Sequence, residues 1–262
     1  KYIDKINEGP SLSRKSGTEQ AKGKYIQYLD SDDFLQENAI EYLTDKAEAT
    51  NAEVVAAPFF FYYSENKMDI SGHFSFQEMT GMEYFNEILS GRAYWSVWSN
   101  FLSRSLFERN DISFVPEISF GEDAILMVQL LYHTQKVVAL EQPILYYRQI
   151  ESSICHDITP KRHEDLRTYT KWIERFMIEK GLYESYRNNL ILKNIEMAFL
   201  CMHWGYYENA DKDMKRIVKD IKKRPQLLKC LPGRQRKIIK VYRFSSWLGF
   251  LNLMHYKKQG KL

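Results

Sequence analysis

Cysteine is scarce in this chain of 262 residues, with three in all: Cys155, Cys201 and Cys230. They are odd in number and widely spaced, which suits neither a disulfide framework nor a zinc site and fits a reducing cytoplasm. Long apolar runs are missing as well. No stretch approaches the roughly 18 residues needed to span a bilayer, and no secretory signal opens the chain. Internal repeats and low-complexity tracts are also absent. With 44% hydrophobic and 15% aromatic residues, the chain has enough apolar material for one large core or two modest ones, which excludes a disordered polymer.

Acidic residues are nearly missing from one end. Between Lys215 and Leu262 there is one acid, Asp220, against 15 Lys or Arg, whereas residues 1–214 hold 22 basic and 33 acidic side chains. A net charge of +3 therefore hides a body of about −11 and a tail of about +14. Such segregation points to an anionic membrane surface or to nucleic acid. No nucleic-acid recognition module accompanies the charge, so no nucleic-acid partner is expected. Within the tail, Arg234, Arg236, Lys237, Lys240 and Arg243 alternate with Ile238, Ile239, Val241, Tyr242 and Phe244, followed by Trp247, Leu248, Phe250, Leu251, Leu253 and Met254. That mixture predicts an amphipathic helix lying on an anionic bilayer, on the inner face of the cell membrane. The competing reading packs the same apolar residues on the body or on a second subunit, as in a homo-oligomer.

What is present is most telling at residues 25–34. The apolar segment Tyr25–Leu29 runs directly into Asp30, Ser31, Asp32 and Asp33. Ligands of open α/β sheets bind just beyond the carboxyl ends of strands, and a hard divalent cation takes one or two carboxylates and fills its shell with water and phosphate. Asp33 is expected to cap the helix that follows, a favoured place for Asp.

Alternating strand and helix patterns continue to about residue 150. A short polar helix is expected over 16–22, a helix from Leu35 to about Ala49, and one buried strand over Glu53–Tyr62 with Pro58 as an awkward member. Gly121-Glu122-Asp123 opens an amphipathic helix through His133, and strands are expected at 136–140 and 144–148. Beyond Pro160 the pattern becomes helical throughout, with helices at 161–180, 184–203 and 210–224 separated by Gly181 and stopped by Pro225. The reading is an α/β domain over 1–155 and an α-helical C-terminal region over 156–262.

Several segments resemble, in order and spacing, glycosyltransferases of family 2 with the GT-A fold. Gly9 to Ile26 (GPSLSRKSG followed by AKGKYI) is similar to the stretch preceding that family's "FLDSDD", which the acidic cluster itself matches. Val97-Trp98-Ser99-Asn100, Gly121-Glu122-Asp123 and Pro143-Ile144-Leu145-Tyr146-Tyr147-Arg148 with Ser153-Ile154 resemble later family segments. The resemblance covers roughly residues 8–155. It implies a GT-A-type, Rossmann-like mixed sheet flanked by helices. The strand and "DDGSTD" segment with which family members begin are not in this chain, which starts at Lys1, so a truncated form is expected.

The family implies transfer of a sugar from a nucleotide-diphosphosugar, a UDP-sugar first, to a hydroxyl of a glycan or lipid-linked acceptor, with inversion, in cell-surface polysaccharide synthesis. By motif position Asp123 is the catalytic base and Glu122 its companion. Asp32 and Asp30 are metal contacts for Mn2+ or Mg2+, and Arg14, Asp30, Ser31, Asp32 and Arg148 are donor-binding residues. His156 is a weaker candidate to close over the donor. Trp98 and Trp95 are acceptor-binding candidates, one of them with a role in packing. The alternative is a non-catalytic membrane-docking or assembly module on the same fold. A nucleotidyl transferase would need a Lys or Arg set at a transferred phosphate, which the sequence does not show.

Overall fold

A computed structural model describes residues 3–116, 118–149 and 159–258. The chain packs as two compact units, Lys1–Ile173 and Glu174–Leu262. The boundary expected at 155/156 lies outside the described residues, as do Cys155 and His156.

The first unit is a mixed α/β layer structure. Its larger sheet has five strands, β1 (Tyr25–Gln27), β3 (Val54–Ala56), β6 (Glu78–Met79), β7 (Asn100–Ser103) and β8 (Val137–Ala139), in the order β1-β7-β3-β8-β6. The β3–β8 pair is parallel and the other pairings are antiparallel. Both central parallel strands read Val-Val-Ala and are buried throughout, as expected where both sheet faces are covered. A second sheet of β2 (Phe34–Leu35), β4 (Phe60–Ser64), β5 (Lys67–Ile70) and β9 (Leu145–Arg148) runs in the order β2-β9-β4-β5.

The run Glu53–Tyr62 is therefore not one strand. It leaves the first sheet after Ala56 and enters the second at Phe60. Pro58, which has no N–H for a ladder, sits at the crossing, where its carbonyl accepts from Ile144 N at 3.0 Å. Leu35 likewise is not the start of a helix. It pairs with Leu145 in a two-residue strand, and helix α2 (Ala39–Thr50) begins after Asn38, which is in the left-handed region at φ 61°.

Helix α1 (Gly9–Gln20) starts earlier than its polar sequence indicated, because Pro10 is preorganised for the first helical turn. Helices α3 (Gly81–Leu89), α4 (Ser105–Glu108) and α5 (Glu122–His133) complete the layers, α3 being closed by a reciprocal Thr80/Glu83 capping box. Residues 124–131 of α5 are all buried, so this helix is a core element. Helix α6 (Pro160–Glu179) follows.

The second unit holds α7 (Tyr183–His203), α8 (Tyr207–Lys223), α9 (Gly233–Phe244) and α10 (Ser246–Lys258). Gly181, at φ +70°, closes the turn before α7, and Pro225 follows the end of α8, both as expected. Ala210, Met214, Ile217, Val218 and Ile221 form the buried stripe of α8 while its lysines face out. The basic tail is two helices rather than one, and Ile238, Ile239, Tyr242 and Leu253 are buried in it. Cys201 is buried and Cys230 is exposed.

Candidate active site

The acids that follow β1 lie on a tight turn, closed by Asp33 N donating to Asp30 O at 3.1 Å. Gln27 Nε2 ties the end of that strand to Trp98 O at 2.6 Å. Above it, α5 begins at Gly121, whose φ of 89° is a left-handed conformation available to glycine. The Tyr169 ring packs against Gly121 so closely that a Cβ there would meet Cδ1 at 2.0 Å. Asp165 on the same helix as Tyr169 accepts from both the backbone N and Oγ of Ser119 at 3.0 Å. The chain entering α5 is thus held two and four residues ahead of Asp123.

Arg14, projecting from α1, joins these elements. Its Nη1 lies 2.7 Å from Glu122 Oε1 and 2.8 Å from Asp123 Oδ1, and its Nη2 lies 3.1 Å from Asp30 Oδ1. Burial disfavours the charged guanidinium, but Asp123, Glu122 and Asp30 together outweigh it and raise its pKa. Asp123 is pushed up to about 7, chiefly by burial, with Glu122 and Asp30 adding to the rise and Arg14 and the Val97 N–H opposing it. Asp123 Oδ2 accepts from Val97 N at 3.1 Å. Oδ1, in contrast, is buried and accepts no hydrogen bond among the described residues. The turn bearing Val97 is stiffened by Ser99 Oγ and Asn100 Nδ2, which donate to Ser96 O at 3.0 and 2.8 Å.

Arg14, Asp30, Glu122 and Asp123 line one cavity of about 470 Å³. Trp95 and Trp98 line it too, with Phe59, Phe61, Tyr94, Phe120, Tyr147 and Tyr169. Trp98 is 7% exposed and stacks on Tyr147 with ring centroids 5.0 Å apart, so it is a packing residue as well as a wall. Trp95 packs edge-on to Phe85, and its buried Nε1 has no hydrogen-bond partner among the described residues. The aromatic wall beyond the two tryptophans escaped the sequence reading. Phe59 and Phe61 read as part of a buried strand, and only their break at Pro58 hinted that they face a cavity.

Ser31, Asp32 and Arg148 are not among the residues lining that cavity. Ser31 is exposed and Asp32 half-buried. The Arg148 guanidinium lies over the Phe34 ring, 5.6 Å from its centroid. Asp33 does not cap a helix. Its Oδ1 accepts from Arg148 N at 2.9 Å, fastening the acidic turn to β9, and burial raises its pKa to about 6. The capping expectation fails because two strand residues and a turn intervene before α2.

Among the described residues no group of three or more His, Cys, Asp or Glu side chains is placed to hold a metal ion by itself. The acids nonetheless fit a hard divalent cation in donor type, since such an ion takes one or two carboxylates and completes its shell with water and phosphate. Asp30 and Asp32 offer that number from one turn.

The family profile described as Glycosyl transferase family 2 matches residues 1–112. Over that stretch the chain is similar to that family. It is 24% identical over 230 residues to the Bacillus subtilis glycosyltransferase EpsJ, covering 84% of this chain and 66% of EpsJ. It is 25% identical over 199 residues to the cholesterol galactosyltransferase of Borreliella burgdorferi, covering 72% of this chain and 54% of that one. The chain thus spans two thirds or less of the length of these relatives. Among solved structures, S. aureus TarS in complex with UDP-GlcNAc superposes with a TM-score of 0.56 at 12% identity, over 99% of this chain and 74% of that one. TarS with UDP gives 0.58 at 15%, over 97% and 72%. The fold is that of the GT-A glycosyltransferases.

Proposed function

We propose that this chain is a glycosyltransferase that moves a sugar from a nucleotide-diphosphosugar to a hydroxyl of a glycan or lipid-linked acceptor, with inversion, in cell-surface polysaccharide synthesis. The observation that carries the reading is Asp123. One oxygen is anchored on the Val97 N–H, and the other is buried and ion-paired with Arg14 at 2.8 Å, in a residue that lines the same cavity as Asp30. A general base works best with a pKa near the working pH, and Asp123 sits at about 7.

In this reading the acceptor hydroxyl enters between the aromatic walls and gives its proton to Asp123 Oδ1. Its oxygen bonds to the anomeric carbon from the face opposite the diphosphate. The bond from that carbon to the phosphate oxygen breaks, and the nucleoside diphosphate departs with the electron pair. Asp30 and Asp32 would hold Mn2+ or Mg2+, which when bound neutralises charge on the diphosphate. Glu122 and Arg14 orient the base, and the guanidinium's planar fork matches the three carboxylates it touches. Trp95 would meet a sugar at the cavity wall, which Trp98, stacked on Tyr147, supports. Ser31 and Arg148, on neighbouring turn and strand, belong to the donor side. UDP-GlcNAc and UDP in the TarS complexes support a UDP-sugar as donor. The enzyme would work at the inner face of the cell membrane, where lipid-linked acceptors are available.

The deciding experiment is Asp123→Asn in the full-length protein. Transfer should fall by about 10²–10⁴, the usual contribution of a general base, while donor affinity measured by calorimetry stays within about twofold. Turnover within tenfold of wild type would remove Asp123 from the role. Donor hydrolysis absent in both manganese and chelator would instead favour a docking or assembly module.

A further inference from the structure

Helices α9 and α10 each bury one side and present the other to solvent. On α9 the buried residues are Ile238, Ile239 and Tyr242. At about 100° per residue, Arg234, Lys237, Lys240 and Phe244 fall within an arc of about 120° nearly opposite them, and all four are exposed. On α10 the buried side holds Leu253 and Gly249, where a Cβ would come within 2.4 Å of the Tyr242 ring. Trp247, Leu248 and Leu251 lie on the opposite side, 67%, 38% and 45% exposed. Phe244 is 86% exposed, and only Ser245 and Ser246 separate it from Trp247. The basic face of one helix and the apolar face of the next therefore meet at a corner.

Charge decides what covers this corner. The segment from Lys215 onward carries 15 basic residues and one acid, so the same face of a second copy would bring like charge against like. An anionic surface with an apolar interior complements both halves. Helix α10 (Ser246–Lys258) has 13 residues, about 20 Å of helix against a hydrocarbon core of about 30 Å. Among the described residues no helix is long and apolar enough to cross a membrane.

We propose that the α9–α10 corner docks on an anionic lipid bilayer in the plane of the interface. Phe244, Trp247, Leu248 and Leu251 enter the boundary between headgroups and acyl chains, and Arg234, Lys237 and Lys240 contact lipid phosphates. The surface shares no residue with the cavity of Asp123, so vesicle binding reads it independently of sugar transfer.

The test sediments the full chain with vesicles of phosphatidylcholine alone, or with a quarter phosphatidylglycerol. Binding should be at least tenfold stronger to the anionic vesicles and should weaken with salt. Tryptophan emission should shift to the blue on binding, less so in Trp247→Phe. The pair Trp247→Ser with Leu251→Ser should weaken binding at least tenfold with an unchanged circular dichroism spectrum. The pair Lys237→Gln with Lys240→Gln should weaken it on anionic vesicles while leaving the apolar stripe intact. Equal binding to both vesicle types, or wild-type binding by both double variants, overturns the proposal. So does a dimer that the serine variant dissolves while vesicles go unbound.

Discussion

Arg14 Nη1 lies 2.8 Å from Asp123 Oδ1, yet that oxygen accepts no hydrogen bond among the described residues. The guanidinium holds the carboxylate by charge, and its directed hydrogen bonds go to Glu122 and Asp30. Asp123 Oδ1 is thereby held by charge, while its Oδ2 is fixed by the Val97 N–H.

The pH dependence follows from this arrangement. A base acts only when ionised, and Asp123 is ionised above a pKa of about 7, so kcat/KM should rise with pH and level off above about 7. Arg14 draws that pKa down, so Arg14→Gln should move the rising limb to higher pH. A pH–rate profile with its limb unmoved in Arg14→Gln would mean the two groups do not communicate.

Gly121→Ala should be severe. The residue has φ 89° and its missing Cβ position lies 2.0 Å from Tyr169 Cδ1, so strain and overlap combine to about 2–4 kcal/mol. Adding Tyr169→Ala should recover the overlap part of the loss and leave the backbone part, as read by denaturant unfolding. Full recovery would show that the left-handed turn is not strained by alanine.

Tyr94 separates acceptor binding from stability. It lines the cavity and is 40% exposed, so Tyr94→Ala should fold normally. Loss of one aromatic contact, about 1 kcal/mol, should raise the acceptor KM roughly fivefold with the donor KM unchanged. A matching rise in donor KM would move Tyr94 to the other substrate.

Metal dependence should show at Asp32. Chelation should stop transfer and manganese restore it, and Asp32→Asn should raise the manganese concentration needed for half-maximal rate by at least tenfold. Titration of activity against manganese reads this directly. An unchanged titration in Asp32→Asn would leave Asp30 as the metal contact.

Much of the architecture was legible because it is local. The start of α5 at Gly121-Glu122-Asp123, the strand before Asp30, and the helices either side of Gly181 follow from periodicity and from residues that begin or end elements. The failures were at places where local pattern and tertiary pairing disagree. Leu35 looks helical but is taken by β9, and Asp33 looks like a cap but is taken by the Arg148 N–H. The apolar run at 53–62 divides between two sheets because a proline cannot join a ladder, which no periodicity in the run itself reveals.

The sequence by itself determined which residues carry charge, where strands hand over to acidic turns, and that the last 48 residues are basic, since these depend on neighbours in the chain. Only the tertiary structure decided that Arg14 meets Glu122 across 108 positions, and that Phe59, Tyr94 and Tyr147 share a wall with Trp98. Those meetings depend on how buried elements pack, and packing selects among many arrangements that the same local preferences allow.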